Sequence, residues 1–198
     1  MLIKKRFHSL CSSYNRIFSI GGFNETAYLS DCQIYYTNDD KWKQLPNLLS
    51  ERGKSAAFTI NNVYVYTVCG RSSMENNLNS VERLRIGDKK WRIVNISNMM
   101  SPRRIVHGMQ ISSNEAIVFG GYDDIDVYSD CYLLDLCENK CKIAYNMISS
   151  DSFLCCTAPV SKETTFMLSA RIEKYTFTLS KKISGPCIKI QSIIQLIF

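Results

Sequence analysis

Three groups of side chains in this sequence could do chemistry. Cys131, Cys137 and Cys141 form the nearest approach to a metal-ligand cluster, and Cys155 and Cys156 follow. A structural zinc site asks for four thiolate or imidazole ligands at close paired spacing, and no Cys-x-x-Cys pair occurs. Cys155 and Cys156 are neighbours in a strand-like run, so they point to opposite faces. Asp123, Asp124 and Asp126 could hold calcium or act as paired carboxylates, but the loop glycine of a calcium-binding helix-loop-helix is missing. They read as solvated loop acids. Arg52, Arg71, Arg103 and Arg104 make the third group, and guanidinium forks grip carboxylate oxygens in pairs. No phosphate-loop, nucleophile-elbow or dinucleotide-binding motif is present. The expectation is therefore no catalytic residue, no metal and no cofactor.

Composition narrows the classes further. With 198 residues, 45% of them hydrophobic, the chain can bury the core of one domain, taken as 1–198. The net charge is +6, but the excess sits at the two ends. Lys4, Lys5, Arg6 and Arg16 crowd the start, and Arg171, Lys174, Lys181, Lys182 and Lys189 the end. A nucleic-acid binder concentrates its basic stripe on a folded face, so none is expected here. The first residues hold cations without an unbroken apolar run, and the apolar C-terminal run is too short to span a bilayer. No membrane association is expected. The nine cysteines, an odd number in no disulfide framework, read as reduced thiols of a cytoplasmic protein.

The elements that must position these groups repeat about every 50 residues, which marks a repeat architecture. Apolar strands end at Gly21-Gly22, at Cys69-Gly70 and at Gly120-Gly121. Trp42 and Trp91 follow the first two pairs at nearly constant offset, and Cys141 stands at the third such place. Runs rich in Tyr, Val, Ile, Phe and Thr, separated by Asn, Asp, Gly and Ser, read as short strands. They divide into units at about 17–62, 63–114 and 115–162. In the first unit the strands fall at 17–22, 31–37, 42–45 and 55–60. Gly-Gly with Trp at one period, together with WKQLPNLLSER and MMSPRRIVHG, resembles the kelch-repeat family.

The resemblance implies an all-β fold, a kelch-type β-propeller of about four blade-equivalents, each of four antiparallel strands. The ring is then closed, or part of a larger one. A degenerate fourth unit at 163–198 is completed by 1–16, with strands at 163–169, 172–179 and 187–194 joined by 6–12. His8 and His107 each lie 13 residues before a glycine pair and read as equivalent fourth-strand positions. In each unit the glycine pair ends the strand lining the channel, and Trp42 and Trp91 wedge between blades.

The function implied is a non-catalytic protein-interaction module. A propeller enzyme of the galactose-oxidase-like type needs several histidines and a tyrosine around copper, and only two histidines exist. A degenerate fragment of a larger kelch protein is the other alternative. Long loops at 23–30, 46–54, 71–80, 97–106, 122–129 and 147–152 share one face, where binding residues concentrate. The expected partner-binding set is Phe23, Asn24, Arg52, Arg71, Ser72, Arg103, Arg104, Tyr122 and Asp123. That face is expected to be basic on one side and acidic on the other, and to take a protein partner through an acidic peptide segment.

Overall fold

A computed structural model describes residues 1–146, 154–157, 165–172 and 175–182, and these are all-β. The first sheet runs in the order β1 (Ser9–Ser13), β2 (Arg16–Ile20), β3 (Cys32–Tyr36) and β4 (Lys41–Leu45), every pair antiparallel. The second begins with β5 (Ala56–Ile60) and β6 (Tyr64–Val68). A small hairpin of β7 (Arg71–Ser73) and β8 (Asn76–Asn77) then projects before β9 (Val81–Arg85) and β10 (Arg92–Val94) complete it. The third contains β11 (His107–Gln110), β12 (Glu115–Phe119), β13 (Asp130–Asp135) and β14 (Lys140–Asn146). A last sheet holds β15 (Leu154–Thr157), β16 (Thr165–Ile172) and β17 (Tyr175–Lys182).

The sheets divide the chain elsewhere than at 17–62, 63–114 and 115–162. Residues 55–60 do not close the first unit; Ala56–Ile60 pairs with Tyr64–Val68 and opens the second. The reason lies in the turn. Asn61 and Asn62 both take positive φ, 53° and 57°, and Val63 N–H returns to Ile60 O at 3.0 Å, a tight turn that brings Tyr64 back to pair with Ile60. The crossing between sheets falls instead on the long segment 46–55. β1 likewise pairs with β2, and among the described residues 6–12 pairs with no C-terminal strand; the expected strand at 187–194 lies outside the described residues. His8 and His107 are not equivalent either. Ser9 pairs with Ile20 as His107 pairs with Phe119, one residue out of step.

The innermost strand of each sheet is therefore the one before the glycine-ending strand. β5 packs against both β1 and β11, and β11 against β15. Successive sheets are also tied by backbone: Lys54 N–H donates to Phe7 O at 2.8 Å, and Ile105 N–H to Lys54 O at 2.7 Å. Phe7, Lys54 and Ile105 all sit at positive φ, 57°, 55° and 56°. A groove of about 1370 Å³ runs along β1, β5 and β11, and these three residues line one end of it.

Two apolar clusters hold the sheets together. Between the first and second lie Phe18, Ile20, Ile34, Val65, Leu84 and Trp91. Trp91 is 1% exposed, and its indole N–H donates to Pro46 O at 2.9 Å. Between the second and third lie Phe58, Val68, Cys69, Met100, Val118, Leu134 and Cys141. Here a buried thiol, Cys141, occupies the repeat position that Trp91 fills one seam earlier. Trp42 is not an interior wedge: it is half-buried against Tyr35, ring centroids 5.1 Å apart, on the face of the first sheet turned away from the second.

The glycine pairs work through backbone conformation. Gly21 and Gly120 have φ of 60° and 66°, and Cys69, standing where they stand, has φ of 60°. A Cβ on Gly21 would overlap the carbonyl oxygen of Arg52. Cys69 keeps the geometry at a cost of about 1 kcal/mol in backbone strain, with its side chain fully buried in the seam.

Candidate functional site

Each of the first three sheets receives a cation four residues before its innermost strand. Lys5 Nζ donates to the Asp31 carboxylate at 2.8 Å and to Asp31 O at 3.1 Å. Arg52 donates to Glu82 Oε1 at 2.6 Å, Cys69 O at 3.0 Å and Ser80 O at 3.2 Å. Arg103 donates to the Asp130 carboxylate and to Gly120 O, and its guanidinium lies 3.7 Å from the Tyr128 ring centre. These cations are clips that tie the lead-in of a sheet to the connection after its second strand. Glu82 also accepts the backbone N–H groups of Leu49 and Ser50, at 2.7 and 3.1 Å. Gln33, one sheet earlier, accepts Leu2 N–H at 2.9 Å in the same way. Burial alone would raise the Asp31 pKa, but donation from Lys5, Gln44 and Gln33 outweighs it and the carboxyl is held below its ordinary value.

Arg52 and Arg103 are thus 0% and 1% exposed, both Nη atoms of Arg52 bonded inside the fold while its buried Nε finds no partner. The sequence reading that put them on the binding surface is corrected on this point. Asn24 and Asp123 also turn inward to their own loops. Asn24 Oδ1 accepts from Ala27 N–H at 3.0 Å and Thr26 N–H at 3.3 Å. Asp123 accepts from Asp126 N–H at 2.9 Å, Ile125 N–H at 3.0 Å and the Tyr128 hydroxyl. Its pKa is lowered, first by the Asp126 N–H. Ser72 accepts from Asn76 Nδ2 at 2.7 Å across the β7–β8 hairpin.

One residue after the clips, the groups do converge. Arg6 pairs with Phe23, Gly53 with Arg71, and Arg104 with Tyr122, each through two backbone hydrogen bonds. This sets Arg6, Arg71 and Arg104 beside the end of the groove, with Lys54 among them. Lys54 is half-buried, 4.5 Å from the Phe7 ring centre. Its pKa is lowered by burial first, then by the charges of Arg104, Arg71 and Arg6. Arg6 lies over the rings of Phe7 and Phe23 at 5.3 and 5.4 Å.

One carboxylate enters this group. Asp124 accepts from Arg104 through both oxygens, from Arg71 Nη1 at 3.2 Å and from Asn77 Nδ2 at 3.1 Å. Donation from Arg104 holds its carboxyl well below the usual carboxylate range. The face is therefore not split into basic and acidic halves; the acid sits on the cations of the second and third sheets, and Arg6 and Lys54 remain without a carboxylate among the described residues. Sequence reading left Arg6 out of the site. The signal was the alignment of Lys5-Arg6, Arg52-Gly53 and Arg103-Arg104 four and three residues before each inner strand.

Residues 4–49 match the family model of the kelch motif. The chain carries a kelch repeat. The match spans the first sheet together with its lead-in cation Lys5 and Trp42. The second and third sheets repeat the four-stranded antiparallel form of the matched first one, consistent with kelch-type propeller blades, and each described blade meets the next through its inner strand. No curated protein matches the sequence. Among the described residues, no helix is long and apolar enough to cross a membrane, and no three His, Cys, Asp or Glu side chains converge as metal ligands. Cys11, Cys32, Cys69, Cys131, Cys137 and Cys141 are free thiols.

Proposed function

We propose that this kelch-repeat chain is a non-catalytic protein-interaction module that docks an acidic peptide segment on its long-loop face. The observation carrying this reading is the convergence of Arg6, Lys54, Arg71 and Arg104 at one end of the blade axis, with Asp124 the one carboxylate bound among them in the described residues. Four cations against one acid leave an uncompensated positive field; Lys54 is lowered by burial first, and then by the charges of Arg104, Arg71 and Arg6. Carboxylates delivered there gain charge-assisted hydrogen bonds beside a partly desolvated wall. The lead-in clips hold the blades in register, which preorganises the cations and lowers the entropy cost of docking.

Calorimetric titration of the chain with a peptide of Asp and Glu spaced by Gly and Ser tests the reading. The control is the same peptide with Asn and Gln in place of the acids. Binding of the acidic peptide alone is expected. Equal binding of both, or of neither, would remove the electrostatic basis of the proposal.

A further inference from the structure

The loops on this face do not all meet in the same way. Those of the second and third blades are stapled. Asn77 Nδ2 donates to Asp123 O at 3.0 Å and to Asp124, and Arg71 reaches across to the same carboxylate. Between the loops of the first and second blades, 23–28 and 71–77, no hydrogen bond crosses among the described residues. A cleft of about 320 Å³ stands there instead. Phe23 and Tyr28 form its floor, ring centroids 5.1 Å apart, and both are nearly buried. Ala27, Ser73 and Met74 wall it, and Met74 is 68% exposed. Glu51 stands at its edge.

The open cleft and the uncommitted cations are contiguous. Arg6 lies over Phe23, the floor of the cleft, and Arg6 and Lys54 both flank Phe7. On the stapled side Arg71 and Arg104 are already engaged by Asp124. We infer that the docked segment is bipartite and sits on the first and second blades: a carboxylate meets Arg6 and Lys54, and a neighbouring apolar side chain enters the cleft over Phe23 and Tyr28. This inference rests on the interaction reading above and gives it a recognition rule. The volume accommodates one Leu- or Met-sized side chain with room for its backbone approach. Glu51 repels an acid from the cleft, so the two halves of the segment cannot exchange places.

Panning a library of random displayed peptides on the purified chain tests the rule. The probes are wild type, Ala27→Trp and Met74→Asp, which fill or polarise the cleft at exposed positions, and the double variant Arg6→Glu with Lys54→Glu. The wild-type pool is expected to carry an acidic and an apolar residue at one fixed spacing. On Ala27→Trp and Met74→Asp the recovered peptides should bind about tenfold more weakly, the loss of one buried Leu-sized contact. The pools selected on those variants should keep the acid and lose the apolar preference. The double charge variant should lose the acidic preference. Acidic enrichment without a spaced apolar residue, or an apolar preference that survives both cleft variants, overturns the bipartite rule and leaves the charge reading standing. A wild-type pool with no acidic preference overturns both. Unchanged thermal melting of each variant establishes that a loss reports the surface and not unfolding.

Discussion

Arg103 and Arg104 are adjacent in sequence and belong to opposite regions of the molecule. Arg103 is a clip, sealed inside the third blade against Asp130 and Gly120 O. Arg104 faces the axis end, beside Tyr122 and Asp124. The same division separates Lys5 from Arg6 and Arg52 from Lys54. The lesson is that local backbone and the carboxylate within reach, not residue type, divide the cations: Arg52 and Arg103 are sealed inside, Arg71 and Arg104 are themselves buried but meet the exposed Asp124, and Arg6 and Lys54 meet no carboxylate among the described residues. A buried pair is costly to break because the surviving charge is left desolvated. A cation at the rim contributes little to folding and is free to act in binding.

The largest effect should come from breaking a clip. Arg52→Met strands Glu82 and removes the bonds to Cys69 O and Ser80 O, so a loss of about 3–5 kcal/mol is expected in urea denaturation. A midpoint unchanged from wild type would dissolve the distinction between clips and rim. The seams offer the next contrast. Trp91→Ala empties the first seam and leaves Pro46 O without its donor, for a loss of about 3–5 kcal/mol. Trp42→Ala, at a half-buried position, should cost about 1–2 kcal/mol. Equal losses would mean that the two tryptophans share one environment, against the burial seen here.

A smaller effect follows from the thiols. Burial pushes Cys32, Cys69 and Cys131 up to about 12 and Cys141 to about 11, from an ordinary value of 9.0. A folded value above the unfolded one gives stability that is full below pH 9 and is lost as pH rises towards 11–12. Denaturation midpoints should therefore fall steadily across that window, while Cys137, the exposed thiol among the described residues, alkylates before the other described cysteines at neutral pH. Flat stability from pH 8 to 11 would contradict the burial of these sulfurs.

Much of this architecture was legible in the sequence, and the misses share a cause. The period of glycine pairs and tryptophans identified the blades, because only left-handed backbone at Gly21, Cys69 and Gly120 lets the chain turn there. A period has no phase, however. The unit boundary was set one strand late because Asn61-Asn62 was read as a link between blades, when two successive residues at positive φ make a hairpin within one. The long connections at 23–30, 71–80 and 122–129 were legible as loops, while 147–152 lies outside the described residues. The burial of Arg52 was not, since its partner Glu82 lies thirty residues away in the next blade. Asp124 could not be placed among the cations for the same reason: its partners Arg71 and Arg104 come from other connections.

The central claim is that the rim cations, and not the clips, attract an acidic partner. Fluorescence anisotropy of a labelled Asp- and Glu-rich peptide across rising salt tests it most directly, comparing wild type with the Arg6→Glu, Lys54→Glu double variant. Wild-type affinity should fall steeply with salt, and the variant should melt like wild type yet bind at least tenfold more weakly at low salt. Equal affinity and equal salt dependence in the two proteins would contradict it.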